Sequence, residues 1–265
     1  MEGRLKGSGR SFADANRSLE RGIAILRAFR PGVTELGNAE IVERTGLAKA
    51  TVSRLMQTLV GAGMLERSPT GRLYRLAPAV LSLAHAMRLG SSILPVIAPL
   101  MRQEATRRRV NVGLASADDD MMVYLESFRY SARSSFRTVV SGQRVPIELT
   151  SLGRAYLWGL PAIKRSVELN RIAERRARQW PQLREEIQAS LDELDRDGYC
   201  TVSWQPGVVA VATTIILPRQ RPHALNISIS NDEPVAAMGR LLGPWLLDLQ
   251  RRCQDLLQEE ALALS

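Results

Sequence analysis

Six residues within nine positions carry the most distinctive chemistry of this chain: Lys49, Ala50, Thr51, Ser53, Arg54 and Gln57. Arg54 can donate two parallel hydrogen bonds to a guanine edge, and Gln57 can pair with adenine in the same two-point way. Thr51 and Ser53 are short hydroxyls suited to phosphate oxygens, and Lys49 adds a cation. All six lie off an apolar stripe of Val52, Leu55, Met56 and Leu59 at helical spacing. One helix from about Lys49 to Ala62 would therefore bury the stripe and present the polar set. Further along, Ser68-Pro69-Thr70-Gly71 reads as a turn with Thr70 at its tip, and Arg67 and Arg72 flank it. Two cations so placed could straddle a backbone phosphate. The chemistry is recognition of a phosphodiester polymer, with no bond made or broken.

The elements that must hold these groups can be read outward from them. Asn38 is expected to cap a preceding helix, with Glu40 in its first turn, where the helix dipole favours an acid, and Val42 facing inward. Gly46 supplies the left-handed conformation of a tight inter-helix turn, and Leu47 anchors that turn. A still earlier helix begins near Asn16 or Ser18 and shows Leu19, Ile23, Leu26 and Phe29 as one apolar face. Strands from Met64 to Arg67 and from Arg72 to Leu76 complete a hairpin, or wing. Residues 16–77 thus predict a winged helix-turn-helix that reads DNA through the N-terminal part of its last helix. Residues 1–15, rich in Gly, Ser and Arg, predict a disordered tail.

Charge agrees with this placement. The chain carries 36 basic and 27 acidic residues over 265 positions, a net charge of +9. Up to residue 76 the count is 13 basic against 7 acidic. Less than a third of the chain holds two-thirds of the excess, which suits a polyanionic partner.

Pro78 to Ser91 predicts a linker helix with Val80, Leu81, Ala84 and Met87 on one side, either a dimer contact or a helix docked on a domain. Residues 92–265 change period. A helix from about Leu94 to Arg108 precedes strands at Val110–Ala115 and Met121–Phe128 around the turn Asp118-Asp119-Asp120. Arg137–Val140 is a further expected strand, Ser151–Leu160 a helix, and the basic run Asn170–Arg178 a solvated helix face. Leu183, Ile187, Leu191 and Leu194 mark another helix. Strands at Tyr199–Trp204, Val208–Leu217 and Ala224–Ser230 follow, then a helix from Pro234 to Leu257 interrupted near Gly243-Pro244. Hairpin-ordered strands with grouped helices predict an α+β fold whose second domain is an antiparallel sheet flanked by helices.

Enzymatic constellations find little support. Cys200 and Cys253 have no metal or redox spacing, and their small number suits a reducing cytoplasm. His85 and His223 lack partners at metal-ligand spacing. No nucleophile elbow, Walker loop or dinucleotide loop is present. No apolar run approaches the roughly 20 residues of a membrane span. The expectation is a non-enzyme with no cofactor and no metal. An enzyme built on the second domain, or a DNA-bound assembly scaffold without a ligand, is the alternative.

Four blocks in order carry a resemblance. They are Ser18-Leu19-Glu20-Arg21-Gly22-Ile23-Ala24-Ile25-Leu26, and Thr45-Gly46-Leu47-Ala48-Lys49-Ala50-Thr51-Val52-Ser53-Arg54-Leu55. Gly142 to Pro146 leading to Ser151-Leu152-Gly153-Arg154-Ala155 follows, then Asp197-Gly198-Tyr199, Pro206-Gly207 and Ser228-Ile229-Ser230. From about Arg17 to Arg251 the chain resembles the IclR family of bacterial transcription regulators. The resemblance implies a GAF-like second domain that binds a small organic acid effector, and a homodimer or dimer of dimers on a palindromic DNA operator, with no membrane partner. It also implies repression of a catabolic operon as the commoner role. Carried over position by position, the effector site would include Ser151 and Leu152, whose backbone N–H groups open a helix, together with Val202, Ala210, Ser228 and Ser230. The chain departs from the family at Val202, where an acid is frequent, at Ala210, where a cysteine is common, and at Glu148, where a histidine is frequent. These departures predict a more apolar pocket and an aromatic or longer aliphatic carboxylate.

Overall fold

The computed structural model describes residues 16–130, 140–218, 220–230 and 233–263. The expected tail and most of the expected strand Arg137–Val140 lie outside them. The chain divides into two compact units that meet between Ser91 and Ser92.

In the first unit, α1 (Arg17–Ala28) is capped by Asn16, whose side-chain oxygen accepts from the N–H groups of Ser18 and Leu19 at 3.1 and 3.2 Å. Its buried face is Gly22, Ile25 and Ala28, continued by Phe29. The expected stripe is only half right, because Leu19 and Ile23 stay 64% and 44% exposed. The contact with the following helices runs through Ile25 and Ala28, one row over. α2 (Asn38–Thr45) starts from Gly37, not from an Asn38 cap. Glu40 Oε2 accepts from the Gly37 N–H at 2.8 Å, so the acid at the third position satisfies the helix start. Ile41 is the fully buried residue of α2, while Val42 is half-buried beside it. Gly46, at φ 68°, ends α2 by donating its N–H to the Val42 carbonyl at 2.8 Å, and α3 (Lys49–Gly61) follows after two residues. Val52 and Met56 are its fully buried contacts, with Leu55 and Leu59 packed at the edge of the same core.

The wing is shorter than the sequence suggests. β1 (Leu65–Arg67) and β2 (Tyr74–Leu76) pair antiparallel, and Leu36 adds one bridge to Tyr74. Glu66 and Arg75 face each other across the hairpin in an ion pair at 2.6 Å. α4 (Pro78–Leu89) has no buried residue.

The second unit is a six-stranded antiparallel sheet in the order β5-β4-β3-β8-β7-β6. Its strands are β3 (Asn111–Asp118), β4 (Met121–Phe128), β5 (Arg144–Pro146), β6 (Cys200–Gln205), β7 (Val208–Ile215) and β8 (His223–Ser230). β5 was not anticipated; three residues are too few for a pattern to register. One face packs on α5 (Leu94–Arg108) and α9 (Val235–Ala263) through Val112, Leu114, Val211 and Ile227. The other face packs on α6 (Ser151–Gly159) and α8 (Trp180–Asp197) through Ala115, Met122, Tyr124 and Ala212, with α7 (Ala162–Arg175) at its margin. Side chains alternate between these two layers along each strand.

α9 runs unbroken through Gly243-Pro244, against expectation. A Cβ at Gly243 would stand 2.1 Å from the Tyr199 ring, so the glycine leaves room for that ring to pack on the helix. The helix packs on β6 and β7 and on α5, and this packing outweighs the hydrogen bond that Pro244 cannot donate.

The arginines of the basic run are also more committed than a solvated face. Arg176 pairs with the buried Glu148 at 2.7 Å, and Arg175 reaches both Glu148 and Asp120 at 3.7 Å. Arg144 takes Asp118, so two acids of the 118–120 turn serve ion pairs.

Candidate nucleic-acid interface and ligand cavity

On α3 the burial of Val52 and Met56 fixes what faces outward. Lys49, Ala50, Arg54 and Gln57 are exposed; Thr51 and Ser53 are half-buried at the shoulders. Ala50, Ser53, Arg54 and Gln57 recur at three- and four-residue spacing and form one strip opposite the buried residues. Ala48 starts the helix without a side-chain cap, so the first-turn N–H groups stay open to an outside acceptor. Among the described residues no ion pair engages Lys49, Arg54 or Arg72. By contrast, Arg44 donates to the Ala28 carbonyl at 3.1 Å, and Arg75 is held by Glu66. The structure thus separates bracing arginines from uncommitted ones, a distinction that counting charges cannot make.

In the wing tip, Ser68 is buried and shares a hydrogen bond of 2.9 Å with the Thr70 hydroxyl. Gly71 sits at φ 71° and donates its N–H to the Ser68 carbonyl at 2.8 Å. Thr70 is exposed, but its hydroxyl helps to build the turn. Arg67 and Arg72 are exposed on either side of the tip, Arg67 lying over the Tyr74 ring at 5.6 Å.

In the second unit a cavity of about 380 Å³ opens on the α6 face of the sheet, at the end of the strands where β3 begins and β8 finishes. Its buried end is formed by Gly113, Tyr124 and Asn226. Toward solvent follow Asn111, Ser127, Arg129, Ser228 and Ser230, and the β6–β7 hairpin from Gln205 to Val208. The register explains this convergence. Asn111 pairs with Ser228, Gly113 with Asn226, and Ala210 with Ser228. A bulge in β4 pairs Ala115 with Tyr124 but Gly113 with Ser127, which brings Tyr124 and Ser127 to one cavity.

Of the residues expected to touch an effector, Ser228 and Ser230 line this cavity. Ala210 and Val202 pair with each other across β7 and β6 and are buried, outside the lining. Ser151 and Leu152 are buried too. Leu152 belongs to the core beneath α6, and the Ser151 carbonyl accepts from the Cys200 thiol at 3.6 Å. Thr150 caps this helix, its hydroxyl accepting from the Gly153 N–H at 3.2 Å. Glu148 is clamped by Arg176 and stays outside the lining. The expected apolar character rested on Val202 and Ala210. The lining sets amides, hydroxyls and the cation of Arg129 among apolar surface from Tyr124, Pro206 and Val208. Tyr124, Asn226, Asn111, Gly113, Ser127 and Arg129 were not anticipated. The glycine within β3 was the available signal, since glycine in a strand marks a close approach.

Among the described residues the cysteines and histidines form no catalytic array. Burial pushes both the Cys200 and Cys253 thiols up to about 12. Burial likewise holds the His223 imidazole below its ordinary range. His85 is exposed on α4. Among the described residues, no single helix is long and apolar enough to cross a membrane.

The family comparison decides the class. The profile of the IclR helix-turn-helix domain matches residues 18–69. The HTH-type transcriptional regulator TsaQ1/TsaQ2 of Comamonas testosteroni is 30% identical over 244 residues, covering 89% of this chain and 87% of that protein. The chain belongs to the IclR family of transcriptional regulators. An IclR family transcriptional regulator from Brucella abortus has the same fold, with a TM-score of 0.81 at 30% identity over 96% of this chain and 95% of that one. An IclR homolog from Microbacterium hydrocarbonoxydans, solved with 4-hydroxybenzoate, shares the fold at 21% identity. Its TM-score is 0.68, over 93% of this chain and 99% of that one. As an IclR regulator the chain binds DNA and controls transcription; its relatives are regulators and not enzymes.

Proposed function

We propose that this IclR regulator responds to a small organic acid held in the cavity of the second unit. We further propose that it reads a two-fold operator through Lys49, Ala50, Thr51, Ser53, Arg54 and Gln57, with Arg67, Thr70 and Arg72 as wing contacts. The observation that carries the effector reading is the cavity itself. It is a partly open cleft on the sheet, with Arg129 at its half-exposed end and neutral donors within, the usual make-up of a small-molecule site. The IclR homolog solved with 4-hydroxybenzoate supports an aromatic acid as the ligand class. Val208 and the ring of Tyr124 supply apolar wall for an aromatic acid. Ser228 and Ser230 touch this ligand directly, while Ser151, Leu152, Val202 and Ala210 shape the layer around it.

A second copy of the chain completes the reader. Leu81, Leu83, Met87 and Leu89 of α4 are 73%, 59%, 53% and 71% exposed. A helix this apolar and this open is stabilised by a partner, and helix-turn-helix dimers place two recognition helices about one DNA turn apart. Effector binding would shift the population between spacings that fit and do not fit the operator, by as much as its affinities for the two states differ. Repression of a catabolic operon is the role we favour, on the strength of the family resemblance.

Footprinting on the DNA flanking the gene, with and without benzoate-type acids, tests the scheme and fixes the sign of the response. Calorimetric titration with the same panel tests the ligand class. Binding only of small oxoacids, with no response to aromatic or longer aliphatic acids, would sink the effector reading.

A further inference from the structure

Two side chains at the buried end of the cavity are built with care. β4 and β8 flank β3, and Tyr124 and Asn226 lean over it from either side. A Cβ at Gly113 would stand 2.5 Å from Tyr124 Cε1 and 2.6 Å from Asn226 Oδ1, so the two meet only because position 113 has no side chain. Asn226 Nδ2 donates to the Tyr124 phenol oxygen at 3.4 Å, a long bond. The phenol accepts in that bond, and no described residue takes its own proton. Burial pushes the Tyr124 phenol up to about 12, against the Asn226 bond that lowers it. The group therefore stays protonated and remains a donor. A buried donor with an unspent proton at the edge of a cavity is a group for which a ligand atom is the missing partner.

We propose that Tyr124 and Asn226 are the specificity pair of this cavity, reading an uncharged oxygen at the inner end of an organic acid whose carboxylate points toward Arg129. This rests on the organic-acid reading above. The direction follows from charge. Gly113, Tyr124 and Asn226 offer no cation, and a carboxylate buried there would lose its hydration without a counter-charge. A hydroxyl or carbonyl oxygen has no such penalty and satisfies the phenol. Arg129, at the half-exposed end, suits the charged group. A site built around a polar pair also rejects the analogue that lacks the oxygen, because the pair is then left buried without its partner.

Calorimetry on the full chain with benzoate, 3-hydroxybenzoate and 4-hydroxybenzoate tests this. One hydroxybenzoate should bind about tenfold more tightly than benzoate, the weight of one well-made buried hydrogen bond. Tyr124→Phe should reduce that preference to within about twofold without weakening benzoate. Asn226→Ala should erode the preference too, and it serves as the second variant should Tyr124→Phe fail to fold. Arg129→Gln should weaken all three acids by a similar factor. Equal binding of the three acids by the unaltered protein, or a preference that survives both floor variants, overturns the specificity pair but leaves the acid reading intact. Loss of the preference in Arg129→Gln alone overturns the assigned orientation. Failure of every acid to bind overturns the acid reading, and this proposal with it.

Discussion

Replacing Arg54 by alanine should separate reading from folding. The Arg54 side chain is exposed, and no ion pair among the described residues holds it. Besides the hydrogen bonds of the helix itself, its backbone carbonyl accepts from the Thr58 hydroxyl at 3.1 Å, and that bond survives the substitution. Alanine is also a good helix former. The change in unfolding free energy should therefore stay within about 0.5 kcal/mol. On DNA the expectation is different. A two-point arginine–guanine contact is worth about 1–3 kcal/mol of discrimination, or about 5- to 150-fold per half-site. A two-fold operator contains the contact twice, so the loss compounds. Fluorescence anisotropy on the footprinted operator, at one fixed salt concentration and with single base-pair variants, measures both affinity and preference. Arg72→Ala is the contrast. It should weaken all sequences alike and lower the salt slope by about one. Unchanged affinity and unchanged base preference in Arg54→Ala, with urea unfolding also unchanged, would refute the assignment of α3 as the reading helix.

Three further outcomes follow from the packing. Gly153→Ala would place a Cβ 1.9 Å from the Ile147 carbonyl oxygen, a backbone atom that cannot swing aside, so a loss of roughly 3 kcal/mol or more is expected by urea denaturation. Cys200 and Cys253, whose thiols burial pushes up to about 12, should resist a thiol reagent at pH 8 in the folded protein and both react after unfolding. Glu104 is buried; burial alone would raise its carboxyl, but hydrogen bonds from Arg107, Arg252 and Arg108 prevail and hold it below 4.5. A depressed carboxylate contributes stability that is present above its unfolded value and lost as pH falls through the folded one. Stability should therefore drop below about pH 4.5, and Glu104→Gln should flatten that part of the profile at a cost of about 2 kcal/mol at pH 7.

The reading unit was largely legible in the sequence because its information is local. Gly46 has a φ of 68° at the expected turn, Val52 and Met56 are buried at helical spacing, and the polar strip lies opposite them. The errors are also local in origin. Leu19 and Ile23 satisfy the helical period of α1 as well as Ile25 and Ala28 do. Which row is buried depends on where α2 and α3 press, and periodicity carries no information about that. Asn38 is a better cap by residue type than Gly37, yet Glu40 reaches back to the Gly37 N–H and moves the helix start by one residue.

The cavity was less legible for a physical reason that the same comparison exposes. Its floor joins Gly113 and Tyr124 of the β3–β4 hairpin to Asn226, more than a hundred positions further on, which the β3–β8 pairing brings alongside. Even with that pairing known, simple alternation along β4 would put Tyr124 and Ser127 on opposite faces; the bulge between Leu114 and Ala115 puts both in one lining. Such a shift leaves no periodic trace. What the sequence does hold is the consequence at one position. Gly113 stands in a strand where a side chain would strengthen the sheet, and the space it leaves is filled by the ring and amide of its two neighbours. Family resemblance pointed to Ser228 and Ser230, which are in the lining. It also pointed to Val202 and Ala210, which lie two strands and one strand further out, respectively, and are buried. Resemblance therefore located the sheet face, and the identity of the groups facing the cavity came from register. The ligand's chemistry should accordingly be argued from Tyr124, Asn226 and Arg129, because Val202 and Ala210, on which the expectation of an apolar pocket rested, lie outside the lining of this cavity.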